Sequence, residues 1–258
     1  MRAKEIIAIL EEFAPGGLQE SWDNSGLMIG DSDSEVSSVL LGLDCTPELI
    51  QEAKERGAGM IITHHPLIFK GVKKIGNSTL LERMIVDIIK SDLVVYSIHT
   101  NIDKVPEGVS GIMADKLGLI NRSVLEKSDD GENGLGIIGQ LPRPMDATAF
   151  LDFVKKSFAL DCLKHSKPLK SKISKVALCG GSGSSLIPSA LKNGADLFIS
   201  GDISYHNFFC EEHFMVVDIG HYESEIGVLD LLSSIILKKI PNFAVCKSER
   251  NNNPIYYH

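Results

Sequence analysis

The chain has 258 residues, 43% of them apolar and 23% charged, which is enough to bury a core unaided and too ordinary for a disordered or low-complexity protein. Its 26 basic and 34 acidic side chains leave a formal charge of −8, which argues against non-specific nucleic-acid binding as its main task. No apolar run is long enough to span a bilayer, and the five cysteines are scattered and lack CxxC spacing, so a reducing, cytoplasmic setting is expected, each thiol a small buried hydrophobe.

The first predicted element is an amphipathic helix, because Arg2, Lys4, Glu5, Glu11 and Glu12 interrupt the apolar pattern of MRAKEIIAILEEFAP, which reads as a helix rather than a secretory signal. Next come VSSVLLGLD, TPELIQEAKERGAG and MIITHH, which read as strand, helix and strand. Thr46 suits the helix cap, Pro47 its first turn and Gly57 the left-handed turn at its end. This is a βαβ unit, whose two strands run parallel.

The same pattern returns later as ISKVALCGG, SGSSLIPSALKNGAD and LFISGD. Placing Ser37 on Ser174, an offset of 137, pairs Val39 with Val176, Leu41 with Leu178, Ala53 with Ala190, Gly57 with Gly194 and Ile62 with Ile199 without a gap. Between the copies, NRSVLEKSDDGENG reads as a polar linker, and GLGIIGQLPRPMDATAFLDFVKKSFAL as a strand, a proline-marked turn and a helix. The expected architecture is α/β: two similar lobes built on βαβ units, residues 1–125 and 126–258, with a metal site in the cleft between them. The last segment, PIYYH, is expected to be a strand of either lobe.

Three strand ends carry the chemistry. His64 and His65 close IITHHP, His99 and Asp103 follow VVYS, and His221 and Glu225 follow VVDIG. The carboxyl ends of parallel strands are where α/β folds place ligands. Adjacent strand residues point to opposite faces, so the histidine pair suits two ions better than one. His99 aligns with His221 and Asp103 with Glu225 at an offset of 122, each pair a histidine followed four positions later by a carboxylate. Ile226, Leu229 and Leu232 mark a helix beginning near His221, which sets His221 and Glu225 on one face.

Taken singly these residues are ordinary: a core and an exposed imidazole, or a surface ion pair. Taken together, His64, His65, Asp103, His221 and Glu225 form a ligand set of imidazoles and carboxylates without thiolate, suited to zinc, iron(II) or manganese. It suffices for two divalent ions sharing a bridging group, typically about 3.5 to 4 Å apart. His99 is open to three roles, a further ligand, a group orienting Asp103 or a substrate contact, with orientation favoured. Asp202 and His206, in SGDISYH, follow the repeat's counterpart of the histidine pair and are either site residues or a turn residue and a surface imidazole. The glycine-rich CGGSGSS is either an anion cradle or a tight strand-to-helix turn, and it lacks the ending of a P-loop.

With SWDNSGLMIGD, GLDCTPELIQEA, ITHHPLIF, YSIHTNID, SGDISYH and GHYESE in this order, the chain resembles, nearly end to end, the dinuclear-metal family named after Ngg-one-interacting factor three, also called GTP cyclohydrolase I type-two homologues. The resemblance places His64, His65, Asp103, His221 and Glu225 at the family's metal positions and implies two similar lobes, a ring-shaped homohexamer, and opening of the guanine imidazole ring of GTP by water. Trp22 is either a base-stacking residue or a packing anchor. The leading functional expectation is therefore a metal-dependent hydrolase of a nucleotide or related phosphorylated compound, its catalytic residues unassigned. The alternative is a non-catalytic metal-binding scaffold or metallochaperone, and nucleic-acid binding is disfavoured by the charge.

Overall fold

Helix caps and buried strands set the elements in turn. The computed structural model describes residues 1–169, 172–250, 253–256 and 258. It begins with α1 (Ala3–Phe13), β1 (Gly26–Ile29), β2 (Ser38–Gly42), α2 (Pro47–Arg56), β3 (Met60–Thr63), α3 (Leu80–Lys90) and β4 (Val94–Ser97). There follow α4 (Thr100–Asp103), α5 (Val109–Lys116), β5 (Ile120–Lys127), β6 (Gly134–Met145), α6 (Ala147–Ser157), β7 (Lys164–His165) and β8 (Ile173–Leu178). The chain continues through α7 (Ile187–Lys192), β9 (Leu197–Ser200), β10 (Met215–Asp218), α8 (His221–Glu225), α9 (Val228–Lys239) and β11 (Ala244–Lys247). The Thr46 hydroxyl accepts from the Leu49 amide at 3.2 Å, Pro47 opens α2, and Gly57 ends it at φ +66°, as the sequence predicts.

The chain forms two α/β units, Met1–Ile102 with Val228–His258, and Asp103–Gly227. This differs from the expected division at 125/126 at both ends. Residues 109–127 stay with the second unit because α5 packs on β6 and β8 and β5 pairs with β6. The C-terminal part returns to the first unit because β11 adds parallel to β2 and α9 packs against α1. The returning strand is Ala244–Lys247 rather than PIYYH, whose described residues form no strand.

In the first unit the sheet order is β1-β4-β3-β2-β11, all parallel except β1. Leu40, Ile61 and Val95 face Leu49, Ile50, Ala53 and Ile88 of α2 and α3. Glu52, 2% exposed, clamps the returning segment: it accepts from the Ser248 hydroxyl at 2.5 Å and the amides of Glu249 and Arg250, and pairs with Arg56 at 2.8 Å.

In the second unit the order is β5-β6-β8-β9-β10-β7, with β8, β9 and β10 parallel. Alternate residues of these three strands enter two cores. Val176, Leu178, Leu197, Ile199, Met215 and Val217 meet Phe150 and Val154 of α6, while Ala177, Phe198 and Val216 meet Leu186 and Ala190 on the other face. A sheet covered on both faces accounts for the near-continuous apolar runs of these strands. Each unit thus presents three adjacent parallel strands, β2-β3-β4 and β8-β9-β10, of which β2-β3 and β8-β9 are the parallel pairs expected of the two βαβ units.

Candidate metal centre

In the first unit, His64 and His65 follow β3 and His99 follows β4, neighbours in the sheet. Because β3 ends at Thr63, the strand pleat no longer sends the two histidines to opposite faces, and their ring centroids lie 4.9 Å apart. The His99 ring completes a triad at 5.3 Å from His64 and 5.4 Å from His65. One ring nitrogen from each of the three lies within 4.8 Å of the others.

Each imidazole is fixed through Nδ1. His64 Nδ1 lies 2.9 Å from the Ile98 carbonyl, His65 Nδ1 lies 2.8 Å from Asp44 Oδ1, and His99 Nδ1 lies 2.8 Å from Asp23 Oδ1. A carbonyl or a carboxylate only accepts, so Nδ1 donates in every case, and the neutral ring carries its lone pair on Nε2. Asp23 is itself locked, its Oδ2 accepting from the Thr100 hydroxyl at 2.5 Å and the Thr100 amide at 3.1 Å. Burial alone would raise its pKa, but the bonds from His99 and Thr100 outweigh burial and hold the carboxyl well below the usual carboxylate range.

In the second unit, α8 begins at His221, as the apolar spacing predicts, and breaks at Ile226–Gly227 before α9 instead of continuing as one helix. The spacing of four brings His221 Nε2 to 3.0 Å from Glu225 Oε2. His221 Nδ1 lies 2.8 Å from Asp202 Oδ2, and Asp202 adopts a left-handed φ of +51°, a costly conformation that aims its carboxylate. Glu225 is 3% exposed. Asp103 closes α4, and after burial itself its carboxylate is the chief cause raising the Cys179 thiol, up to about 12, with Glu225 adding to the effect.

The glycine-rich turn after β8 packs against this helix. A Cβ on Gly181, whose φ is +59°, would lie 2.2 Å from Glu225 Oε1, and one on Gly201 would lie 2.7 Å from the His221 backbone. Three of its amides are engaged within the unit, Gly180 to the Ser110 hydroxyl at 3.4 Å, Gly181 to Ser224 at 2.9 Å and Gly183 to Ser200 at 2.9 Å. These bonds and the close approach at Gly181 suit a tight strand-to-helix turn that lets the backbone come against α8.

The structure gathers His64, His65 and His99 in one unit and His221, Glu225 and Asp202 in the other. His206 is not drawn in: it is exposed in the turn Tyr205–Phe208, stacked on Phe209 at 6.3 Å and edge-on to Tyr205 at 5.4 Å. His99 is held by Asp23 and sits in the histidine cluster. Asp23 and Asp44 escape the sequence reading, and the signal that points to them is their place on loops flanking the strands that end in histidine. Cys45 and Cys179 are buried as expected, while Cys162 is exposed and Cys210 and Cys246 are half-buried.

The donor set fits a divalent ion: imidazoles oriented from behind by an oxygen at Nδ1, and the Glu225 carboxylate with one oxygen 3.0 Å from His221 Nε2.

A model of the Duf34/NIF3 (NGG1p interacting factor 3) family matches residues 1–254. A Clostridium perfringens (strain 13 / Type A) protein named GTP cyclohydrolase 1 type 2 homolog is 38% identical over 257 residues, 97% of this chain and 98% of that protein. Among solved structures, Staphylococcus aureus hypothetical protein SA1388 superposes with a TM-score of 0.91 at 29% identity, covering 100% of this chain and 99% of that one. A Bacillus cereus protein related to NIF3 gives a TM-score of 0.91 at 25% identity, with the same coverage.

Proposed function

The chain belongs to the Duf34/NIF3 family, and on that footing we propose that it is a dinuclear metal protein that hydrolyses a nucleotide or related phosphorylated compound. His64, His65, Asp103, His221 and Glu225 hold the two divalent ions, zinc, iron or manganese by donor chemistry. The observation that carries this reading is the shared state of the three ligand imidazoles: His64, His65 and His221 each donate through Nδ1 to an oxygen, which leaves Nε2 as the atom to meet an ion. The GTP cyclohydrolase name of the Clostridium perfringens relative supports a guanine nucleotide as the substrate type.

Bound ions would lower the pKa of water and stabilise negative charge developing on the substrate. The chain's own residues fix the ligands: Asp44 orients His65 and Asp202 orients His221. His99, held by Asp23, contacts the substrate and exchanges a proton through Nε2. A homohexamer and a cytoplasmic setting belong to the same reading. Among the described residues, no helix is long and apolar enough to cross a membrane.

A second reading is a metal-binding scaffold or metallochaperone. It is favoured by the glycine-rich turn, where the amides of Gly180, Gly181 and Gly183 bond to Ser110, Ser224 and Ser200 instead of facing a phosphate. A hydrolysis screen of GTP, other nucleotides and phosphoesters decides between them, run on metal-replete and chelator-stripped protein. The hydrolase reading predicts turnover that disappears on stripping and returns with metal. Replete protein inert on the whole panel, but passing its ions to an apo-acceptor, would establish the scaffold.

A further inference from the structure

Two large rings beside the histidine cluster face solvent, Trp22 at 64% exposure and Phe69 at 50%. Both meet His99 edge-on, with centroids 6.1 Å away at 75° for Trp22 and 5.7 Å away at 88° for Phe69. Exposed rings of this size forgo a large hydrophobic gain, and rings left exposed beside polar groups mark binding surfaces. Here they are also held in place. Asp23, next to Trp22, is bonded to His99 and Thr100, and Asn24 Nδ2 donates to the Ile68 carbonyl at 2.6 Å, tying the loop of Trp22 to the loop of Phe69.

The Phe69 loop is also basic. From Pro66 to Thr79 it contains Lys70, Lys73 and Lys74 and no acidic residue, on a chain of net charge −8. All three lysines are exposed, and none of them forms an ion pair among the described residues. The far end of the loop is anchored to α3, where the Ser78 amide donates to Glu82 at 3.0 Å and Arg83 Nη1 donates to the Asn77 carbonyl at 3.3 Å. Aromatic and cationic groups therefore lie on one loop that starts at the candidate ligand His65.

The geometry points to a recognition site for a planar heteroaromatic ring bearing phosphate: the ring lies against Trp22 and Phe69, and the phosphates pair with Lys70, Lys73 and Lys74. This inference rests on the nucleotide-hydrolase reading and names the residues that select its substrate. Stacking on an aromatic face is tolerant of base identity, and lysine ammonium groups act as point charges for phosphate. A ring held there borders His99, which places the reacting part of the molecule next to the histidine cluster.

Trp22 is the only tryptophan in the chain, so its fluorescence reports on this site alone. The full-length protein, its metal content first measured, is titrated with GTP, guanosine and tripolyphosphate. GTP and guanosine should quench saturably, and tripolyphosphate should displace GTP without quenching by itself. Phe69→Ala should weaken guanosine and GTP alike, by roughly ten-fold or more. Replacing all three lysines by alanine should weaken GTP by roughly ten-fold or more and leave guanosine unchanged. Both variants should keep the wild-type metal content. Absence of saturable quenching in protein that holds its full metal complement would overturn the inference and leave the metal assignment standing. A tryptophan signal that follows protein concentration instead of nucleotide would also overturn it, assigning the rings to a contact between copies of the chain. Protein that binds no metal at all fails the earlier reading, a separate result seen before the titration begins.

Discussion

At the scale of single residues, the metal assignment depends on what stands behind each imidazole. His65 is aimed by Asp44 at 2.8 Å, so Asp44→Ala should leave the fold intact while lowering metal affinity about 10- to 100-fold, as isothermal titration calorimetry would measure. Gly181 is tested by steric means: at φ +59° with Glu225 Oε1 2.2 Å from any added Cβ, Gly181→Ala should displace the ligand and cost about 1 to 3 kcal/mol of stability. Gly194→Ala is the control. Its φ of +70° imposes similar backbone strain with nothing within 4 Å, so its melting temperature should fall while metal retention measured by elemental analysis stays at the wild-type level. The histidines and Glu225 were legible in the sequence because residue type and a spacing of four carry their chemistry. Asp23 and Asp44 were not, because their partners lie 76 and 21 positions away and a lone loop carboxylate has no periodicity to betray it.

At the scale of elements, the βαβ units were legible because caps, helix phase and strand runs are local. Parallel pairing of β11 with β2 was not, since strands whose partners, such as Ala244 and Ser38, lie 206 positions apart leave no shared local pattern. Glu52 on α2 makes that pairing testable. Burial would raise its pKa, but the bond from Ser248, the backbone amides of Glu249 and Arg250, and the Arg56 charge outweigh burial and lower it. A carboxyl with a lowered folded pKa contributes stability that is present above its unfolded pKa and is lost as pH falls through the folded value. Glu52→Gln should therefore destabilise the protein by about 1 to 3 kcal/mol at neutral pH. In urea melts across pH, the gap to wild type should close as the pH falls through the acid range. A gap that stayed constant down to acid pH would mean that Glu52 acts by shape and not by charge.

For the whole molecule, two α/β units were legible from the repeat, but their boundaries were not. The linker-like NRSVLEKSDDGENG became β5 and the turn after it, because its extended residues pair with β6, and a polar exposed edge strand resembles a linker in composition. The matches to the Duf34/NIF3 family and to related solved structures run over nearly the whole chain, so both units belong to the family's fold. We propose, above all, that His64, His65, Asp103, His221 and Glu225 hold a pair of divalent ions. The most direct test of that proposal is elemental analysis of the purified wild type beside His65→Ala, from the first unit, and Glu225→Ala, from the second, each checked for folding by circular dichroism. The account predicts two ions per wild-type chain and loss of bound metal in both folded variants. Wild-type protein that takes up no divalent ion after reconstitution, or folded variants that both keep the full complement, would contradict it.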